Sequence, residues 1–362
     1  MIKKANIPIA RPYIGLSEYQ STIKSLINST IGGASENHLI CEKVISDTVQ
    51  HKYSKLTSNG TVALQIAFEA VKAFLKKEYL TVIVPNVTFG ATVNAALLTN
   101  NNVILADVDK ITGLLCRESV NQIVEKFNID CICLVSLNGR LVKSEDLVYY
   151  RSLGITLIED QAEAFVSQYP NKSRSTHIFM STLSFYANKI VTSGEGGAVC
   201  FSNDHLVEWT NTFINHGMIN PGTYRHDIPG ANYRMSSYNA GLLNAQLSRI
   251  NKVKEHRRLV WDEFKSVKYQ LVSKRFYEHG ELPWLLEFQT RLPRQEFEDK
   301  MVNNRIQYRR YFTPMCAQPA FSGLTNTPLS NSYEFVSGRY FLPLFYGMTK
   351  KQVRRIIKAI SE

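Results

Sequence analysis

Long hydrophobic runs are missing from this 362-residue sequence. It contains no stretch of about 18 consecutive apolar residues, and residues 1–30 have no continuous apolar segment of the kind that a secretory signal requires. Internal repeats and low-complexity segments are absent as well. These absences argue against a membrane-spanning, fibrous or disordered chain. We therefore expect a soluble, cytoplasmic protein that has no membrane partner.

Paired cysteines are also missing. The six cysteines show no CxxC spacing, so we expect neither a zinc site nor a disulfide framework, and we predict no metal. Cys131, Cys133 and Cys200 lie in apolar, strand-like runs. A thiol in such a run is most simply a small hydrophobic side chain of the core.

Positive charge is in excess but is not concentrated. The chain has 42 lysines and arginines against 31 aspartates and glutamates, a net charge of +11, with only short basic clusters at 350–351 and 354–355. A positive charge spread in this way fits an anionic small substrate, or merely solubility, better than a nucleic-acid groove. We expect no nucleic-acid partner.

Strand-like and helical patterns alternate through the first two thirds of the chain. Continuous apolar strands separated by helices indicate a largely parallel sheet that is covered on both faces. Strands are predicted at 81–85, 103–108, 131–137, 155–160, 180–186 and 198–201, and helices at 16–28, 37–53, 62–74, 89–98, 117–127 and 144–153. Binding sites in such sheets lie at the carboxyl ends of the strands.

The last third of the chain reads differently. One long helix, or two in series, is predicted over 236–265, followed by a short mixed stretch at 265–280. A strand at 281–292 and an amphipathic helix at 350–360 indicate a smaller α+β domain. The predicted division is a large domain at 1–250 and a small domain at 251–362.

A lysine follows one of the predicted strands. Lys189 comes after the apolar run 179–186 and precedes a glycine-rich turn that ends at Gly197. A lysine held beside such a turn is partly desolvated, so it loses its proton more easily and can form a Schiff base with a carbonyl group. Taken alone, the stretch also fits an ordinary exposed loop lysine.

Two further features belong beside this lysine. Asp160 closes another predicted strand, so its carboxyl group and Lys189 can meet at one edge of the sheet. The turn 58–61 places serine, asparagine, glycine and threonine at the start of a helix. Free N–H groups at a helix N-terminus bind phosphate, although the same residues also serve as an ordinary N-cap.

Together these three features fit pyridoxal 5′-phosphate (PLP). A lysine holds the PLP aldehyde, a carboxylate pairs with the pyridinium nitrogen, and a helix N-terminus holds the phosphate. Any other interpretation requires three independent coincidences. The sequence therefore predicts a PLP-dependent enzyme with Lys189, Asp160 and residues 58–61 at its site.

Five motifs in order carry a resemblance to a known family: Ser58-Asn-Gly-Thr61, Val84-Pro-Asn-Val-Thr-Phe89, Ile158-Glu-Asp-Gln-Ala-Glu163, Ser184-Phe-Tyr-Ala-Asn-Lys189 with Gly194-Glu-Gly-Gly197, and Gly230-Ala-Asn-Tyr-Arg-Met235. Over nearly its whole length the sequence resembles the DegT/DnrJ/EryC1/StrS family of PLP-dependent sugar aminotransferases. This resemblance implies an α/β, aspartate aminotransferase-like fold (PLP fold type I). Its large PLP-binding domain has a mostly parallel central sheet, and its C-terminal α+β domain is smaller.

The resemblance also implies roles for single residues. Lys189 is the Schiff-base lysine and the general acid and base, and Asp160 pairs with the pyridine nitrogen. Glu163 lies near the ring hydroxyl. Phe89 stacks on the PLP ring, where an aromatic residue of the core is the alternative.

The phosphate-binding residues and the subunit partner are implied in the same way. Gly60, Thr61 and Ser184 bind the phosphate, and Asn232 reaches it from the neighbouring subunit, so the smallest active unit is a homodimer with shared sites. A structural asparagine in a glycine-flanked loop is the alternative for Asn232.

The predicted reaction is transamination, because the family's dehydratases have histidine where this chain has Lys189. The run 184–197, with Asn138-Gly-Arg140, is most similar to the GDP-perosamine synthase branch. That branch aminates C4 of GDP-4-keto-6-deoxymannose for surface polysaccharide and O-antigen sugars, and we expect L-glutamate as the donor. The alternatives are a UDP-linked, dTDP-linked or non-nucleotide keto sugar, or a non-catalytic PLP-fold binding or regulatory protein.

The sugar pocket is the least defined part of the sequence. The chain departs from the family near its start, at Thr30-Ile31-Gly32, and late, at Phe341-Leu-Pro-Leu-Phe345. Candidates for binding the nucleotide diphosphate are Tyr224, Arg225, His226 and Arg234. Each of the four is equally suited to an interface between subunits.

Overall fold

The computed structural model describes residues 6–169, 173–265, 280–324 and 327–361. The strands are β1 (Tyr53–Thr57), β2 (Thr81–Pro85), β3 (Asn102–Ala106), β4 (Cys131–Val135), β5 (Thr156–Asp160), β6 (Met180–Ser184), β7 (Gly197–Phe201), β8 (Leu286–Gln289), β9 (Arg309–Arg310) and β10 (Arg339–Leu342). The helices are α1 (Leu16–Ile27), α2 (Glu36–Val49), α3 (Gly60–Leu75), α4 (Gly90–Leu98), α5 (Arg117–Val124), α6 (Ser144–Ser152), α7 (Ser173–His177), α8 (His205–Phe213), α9 (Ser237–Leu247), α10 (Ile250–Lys265), α11 (Arg294–Asn303), α12 (Ser330–Val336) and α13 (Lys350–Ser361).

The central sheet is mostly parallel, as the sequence predicts. Its strand order among the described residues is β1-β7-β6-β5-β4-β2-β3. The pairs from β3 to β6 are parallel, whereas β7 is antiparallel to both β6 and β1. The carboxyl ends of β2, β4, β5 and β6 therefore lie at one edge of the sheet.

Helices cover both faces of this sheet because its strands are apolar on both sides. In β2, Val82 and Val84 belong to a core shared with α3 and α4, and Ile83 between them belongs to a core shared with α5 and α6. Cys131, Cys133 and Cys200 are buried in the sheet with free thiols, as predicted for small core residues. The alternating positions of each strand thus fix two separate hydrophobic layers.

A second, antiparallel sheet has the strand order β8-β10-β9. It shares a core with α10, α11 and α13, which bury the aromatic side chains Trp261, Phe264, Phe288 and Phe297. Ile7 of the N-terminal arm joins this core through a parallel bridge to Ile306. The proposed domain boundary at 250/251 coincides with the start of α10 and stays a prediction.

One element prediction needs correction. The helix predicted over 37–53 ends at Val49, because Gln50 takes a left-handed conformation (φ 63°), and the edge strand β1 then begins at Tyr53. The region 236–265 forms two helices in series, the second of the two predicted possibilities, and they part at Ser248, the C-cap of α9. The mixed stretch predicted at 265–280 lies almost wholly outside the described residues.

The last described helix is amphipathic, as predicted. Val353, Ile356, Ala359 and Ile360 of α13 are buried against the small sheet, and this spacing places them on one helix face. None of the helices in the described part of the chain is both long and apolar enough to cross a membrane.

Candidate active site

A cleft of about 720 Å³ opens at the carboxyl edge of the central sheet. It collects side chains from the ends of β4, β5 and β6, from the N-termini of α3 and α4, and from the second sheet. Seven residues singled out from the sequence line it: Gly60, Thr61, Phe89, Asp160, Glu163, Ser184 and Lys189. The fold thus brings residues more than 100 positions apart into one hollow.

Lys189 lies in the loop that joins β6 to β7. Its backbone N–H donates to the carbonyl oxygen of Tyr186 (2.9 Å), and the N–H of Ser193 donates to that of Phe185 (2.9 Å). Gly194 has φ +82°, a backbone conformation that glycine adopts without strain. These contacts hold the loop in a tight return and place the lysine at the cleft.

The electrostatic surroundings of Lys189 act in two directions. Burial lowers the pKa of its amine, and the guanidinium of Arg309 adds to this effect. The carboxyl groups of Glu163 and Asp160 raise the same pKa. Burial is the largest effect, so the amine loses its proton more easily than an exposed lysine does.

Asp160 ends β5 and is buried at the floor of the cleft. One carboxyl oxygen (Oδ2) accepts from the hydroxyl of Thr92 (2.8 Å), and the other (Oδ1) accepts from the N–H of Ala162 (3.0 Å). Burial raises its pKa, although both hydrogen bonds and the charge of Lys189 oppose the rise. Because burial disfavours the charged form of this carboxyl group, a cationic partner in the cleft would stabilise it.

Glu163 occupies the turn after β5 and connects the cleft to the second sheet. Its Oε2 atom accepts from the backbone N–H of Asn138 (2.7 Å). The Asn138 side chain accepts from the N–H of Leu285 (2.9 Å) and donates to Glu287 of β8 (3.2 Å). Burial raises the pKa of Glu163, and Lys189 lowers it. Asn138 therefore connects Glu163, which affects the pKa of Lys189, to the small sheet.

The N-terminus of α3 closes one side of the cleft. Asn59 is its N-cap, and the asparagine side chain accepts from the N–H of Val62 (2.9 Å). Gly60 and Thr61 follow at the positive end of the helix dipole. A Cβ atom on Gly60 would lie 2.8 Å from Cβ of Ser184, so only glycine lets the helix approach β6 this closely.

Phe89 is the N-cap residue of α4 and stands at the cleft wall. Its side chain is 65% exposed, and its ring lies 6.2 Å from that of Phe312. This exposure does not agree with the alternative that Phe89 is an aromatic residue of the core. An exposed ring face beside a cleft is available to a planar ligand.

Five predicted residues do not line the cleft of their own chain. Asn232 is exposed and accepts a hydrogen bond from Arg234 (3.0 Å). Tyr224 is 84% exposed, Arg225 pairs with Asp227, and His226 contacts the carbonyl group of His216. All five belong to the loop 218–235, and none of them is among the residues that line the cleft.

Two further residues, Trp284 and Arg309, line the cleft from the second sheet and the segment before it, although no sequence pattern singled them out. Both lie almost 100 residues or more beyond Lys189, in segments without a recognisable motif. Their composition carries no signal either, because a tryptophan before a strand and an arginine in a two-residue strand are ordinary. Only the docking of the small sheet brings them to the lysine.

The residues present fit PLP. A lysine with a lowered pKa and a buried carboxyl group with a raised pKa line one hollow, and the charge of each alters the pKa of the other. Gly60 at the start of α3 has no Cβ atom, so the N-terminus of this helix, which is suited to phosphate, can lie directly beside Ser184. The donor set therefore matches the aldehyde, the pyridine nitrogen and the phosphate of that cofactor.

Fold and cleft together define a PLP-dependent enzyme of fold type I. The sequence matches the model of the DegT/DnrJ/EryC1/StrS aminotransferase family over residues 17–361. The chain belongs to this family, and its cofactor is PLP.

Relatives and solved structures agree with this assignment. The chain is 29% identical over 362 residues to the GDP-perosamine synthase of Escherichia coli O157:H7, covering 98% of both proteins. It is 30% identical over 336 residues to the GDP-perosamine synthase of Vibrio cholerae, covering 88% of this chain and 89% of that protein. The fold matches that of E. coli GDP-4-keto-6-deoxy-D-mannose-3-dehydratase with bound hydrated PLP, with a TM-score of 0.86 at 19% identity and coverage of 99% and 100%.

The predictions of family, fold type, cofactor and enzyme class are therefore confirmed. The protein is a PLP-dependent sugar aminotransferase, as the sequence predicted. The role of each site residue, the substrate and the subunit arrangement stay predictions and are developed next.

Proposed function

We propose that this enzyme transfers the amino group of L-glutamate to C4 of GDP-4-keto-6-deoxymannose, in the synthesis of surface polysaccharide and O-antigen sugars in the cytoplasm. The observation that carries the proposal is the presence of Lys189, with its lowered pKa, in one cleft with Asp160. Two relatives that match nearly the full chain are named GDP-perosamine synthase, which supports the choice of substrate.

The site residues then divide the work of holding PLP. Asp160 would pair with the pyridine nitrogen, and Glu163 would lie near the ring hydroxyl. Phe89 would stack on the ring, while Gly60, Thr61 and Ser184 would bind the phosphate. PLP, when bound, supplies the electron sink for the carbon that carries the amino group.

Lys189 moves the protons. In one half of the reaction its free amine would take the proton from the α-carbon of L-glutamate and pass it to the cofactor carbon that takes up the amino group. In the other half it would take a proton back from that carbon and give it to C4 of the sugar, so that one group is base and acid in turn in each half. Burial lowers the pKa of the amine and favours the free base, whereas the carboxyl groups of Glu163 and Asp160 raise this pKa and favour the ammonium.

An anionic substrate fits the charges around the cleft. Arg309 brings a cation to its wall, and loop 218–235 carries Arg225 and Arg234. We assign Tyr224, Arg225, His226 and Arg234 of a neighbouring subunit to the nucleotide diphosphate of the sugar. The excess positive charge of the chain, +11, acts in the same direction.

Turnover of a panel of keto sugars tests the substrate. GDP-, UDP- and dTDP-linked 4-keto-6-deoxy sugars and a free keto sugar are each incubated with the PLP-loaded enzyme and L-glutamate, and aminated products are identified by mass spectrometry. We expect the highest kcat/KM for the GDP-linked sugar. Preference for another nucleotide would overturn the substrate assignment, and failure of L-glutamate to bleach the absorbance of lysine-bound PLP would favour a non-catalytic binding protein.

Replacing Gly60 with alanine should weaken PLP binding. The new Cβ atom would lie 2.8 Å from Cβ of Ser184, which cannot move away without shifting β6. The start of α3 must then move away from β6 and from the phosphate position. Overpacking of this size costs about 1–3 kcal/mol, and a loss of the same size in binding lowers PLP affinity by about 5- to 150-fold. Titration of the cofactor-free protein with PLP measures the effect.

Gly32→Ala is the matched control, because no heavy atom lies within 4 Å of a Cβ built there. Its PLP affinity should equal that of the wild type. Equal affinity in the Gly60 variant would remove the start of α3 from the phosphate site.

A homodimer with shared sites is supported by the surface of α1. One side of this helix packs on α9, whereas another carries exposed large apolar side chains at helical spacing: Leu16, Tyr19, Ile23, Leu26 and Ile27. A second copy of the chain would cover such a face. The exposed position of Asn232 agrees with a residue that acts in the partner's cleft.

Mixing two inactive variants should restore activity. In a mixed dimer of Lys189→Ala and Asn232→Asp chains, one site combines an intact Lys189 with an intact Asn232 from the other chain. Half of the dimers are mixed and one of their two sites is intact, so activity should return to about a quarter of the wild-type value. The measurement is kcat after unfolding and refolding the two chains together.

Each variant refolded alone is the control and should stay inactive. If Asn232 served the cleft of its own chain, every site in the mixed dimer would carry one defect. Absence of recovery, with mixed dimers demonstrated by mass spectrometry, would therefore contradict the shared site.

A further inference from the structure

Trp284 lies against the amine of Lys189. The Nζ atom is 4.3 Å from the centroid of the Trp284 ring system, within the range of a cation–π contact. The tryptophan is only 4% exposed, yet it lines the cleft. The ring face of Trp284 thus forms the part of the cleft wall next to Lys189, the side chain that must change its charge during the proposed reaction.

The indole is fixed from several sides. Its ring N–H donates to the carbonyl oxygen of Asn188 (2.9 Å), the residue immediately before the lysine. Its backbone N–H donates to the carbonyl oxygen of Asn138 (3.3 Å). The ring of Phe341 meets it edge-on, with centroids 5.7 Å apart. Since both main chain and ring are anchored, the position of the ring face is set before any ligand binds.

A buried arginine locks the segment that carries this tryptophan. Arg257 of α10 donates to the carbonyl oxygens of Pro283 (2.7 Å), Trp284 (2.5 Å) and Leu344 (2.7 Å). Burial lowers the pKa of this guanidinium to about 9. Two of these acceptors lie in the turn before β8 and the third lies just after β10, so one side chain holds both segments against α10. The tryptophan is therefore part of the scaffold rather than a mobile cover.

The charged groups around the amine do not by themselves provide a resting place for an ammonium ion. Glu163 and Asp160 attract it, but both carboxyl groups are assigned to PLP. Arg309 repels it. A ring face attracts a cation without accepting its proton, so an ammonium ion held there remains an acid. Of the described cleft residues, Trp284 has this property and touches the amine.

We propose that Trp284 is a positioning residue that holds the ammonium of Lys189 against its ring face in those steps in which the lysine is released from PLP and carries a proton. The inference rests on the proposed function, in which Lys189 alternates between a covalent bond and a free amine. The contact keeps the released lysine at the edge of the cleft. From there it can return a proton to the sugar carbon instead of pairing with Asp160 or Glu163.

The protonation of Lys189 in the cofactor-free protein tests this contact without any turnover. Acylation of the lysine by an anhydride is followed against pH, and the labelled peptide is quantified by mass spectrometry, with the exposed Lys126 as internal reference. Trp284→Phe keeps an aromatic face and Trp284→Leu removes it, while both lose the indole N–H. We expect the pKa of the Lys189 amine to fall in the order Trp, Phe, Leu, by about 0.5–1 unit in total.

The direction of the shift separates the ring contact from simple packing. Leucine is smaller than tryptophan, so admission of water alone would raise the pKa of the amine. A rise, or an equal pKa in the three proteins, would overturn the proposal. Failure of the proposed function would instead appear as loss of turnover on the sugar panel with the order of pKa values intact.

Fluorinated tryptophan provides a second measurement in case the leucine variant does not fold. Incorporation of one to four fluorine atoms leaves the shape of the ring nearly unchanged and weakens its attraction for cations stepwise. We expect the pKa of Lys189 to fall with each added fluorine. A constant pKa across the series would contradict the assigned role.

Discussion

Replacing Lys189 with alanine reduces turnover by about 10⁴-fold, the upper end of what a positioned acid–base group contributes. The variant also loses the visible absorbance of lysine-bound PLP, while PLP still binds through the other cleft residues. Steady-state kinetics and absorbance spectra of the purified variant measure the two effects. No other described side chain at the cleft combines an amine with the lowered pKa that both steps require.

Lys126→Ala is the matched control, because this lysine is exposed in the turn after α5. Its kinetics and spectrum should be those of the wild type. A Lys189 variant that turns over within about 100-fold of the wild type, the lower bound for an acid–base group, would exclude the assigned role. Partial rescue by a small added amine would support it.

Replacing Asp160 with asparagine should cost about 10²- to 10³-fold in kcat, the effect of removing one preorganised electrostatic partner. The amide has nearly the same shape, and it can keep the hydrogen bonds to Ala162 and Thr92 by exchanging donor and acceptor with the threonine hydroxyl. The carboxylate charge that pairs with the pyridine nitrogen is lost. An unchanged kcat would remove Asp160 from the site.

The same variant should be more stable than the wild type when both are free of PLP at neutral pH. Burial raises the pKa of Asp160 in the folded chain above its ordinary value of 3.8. The unfolded chain therefore ionises first, so the wild type loses stability as the pH rises from about 4 through the folded-state pKa. Thermal unfolding against pH should show the two proteins converging below that window.

Thr92→Val tests the same carboxyl group more mildly than Asp160→Asn does, because it removes one hydrogen bond and keeps the charge. Valine has the shape of threonine but removes the hydroxyl that donates to Oδ2. Loss of a hydrogen bond to a charged group is worth about 1.5–3 kcal/mol, and it raises the pKa of the carboxyl group further. Activity should fall less than in the asparagine variant and should fall most at low pH.

The sequence predicted much of the site because parallel strands share one carboxyl edge. Asp160 ends one predicted strand and Lys189 follows another, so the sequence indicated that the two can meet, and the structure shows that these strands, β5 and β6, are parallel neighbours. Gly60 and Thr61 were added because they open a predicted helix, and free N–H groups at a helix N-terminus bind phosphate. Local patterns with a fixed geometric consequence were therefore enough for these residues.

Other features left no local pattern. β1 was not predicted, because its five residues gain their structure only by pairing with β7, nearly 150 positions away; the predicted helix 37–53 overlaps it at Tyr53 alone. Asn138 could be marked as part of a motif, but its contacts with Leu285 and Glu287 depend on how the second sheet docks. Nothing in their own segments indicated that Trp284 and Arg309 reach the lysine.

By itself, the sequence determined the mostly parallel sheet, the family and the lysine–aspartate pair, since strand periodicity and turn chemistry act over a few residues. Tertiary structure alone decided which charges surround the amine and which aromatic face it touches. Those contacts join segments about 100 residues apart, and their energies depend on burial, which no local pattern specifies.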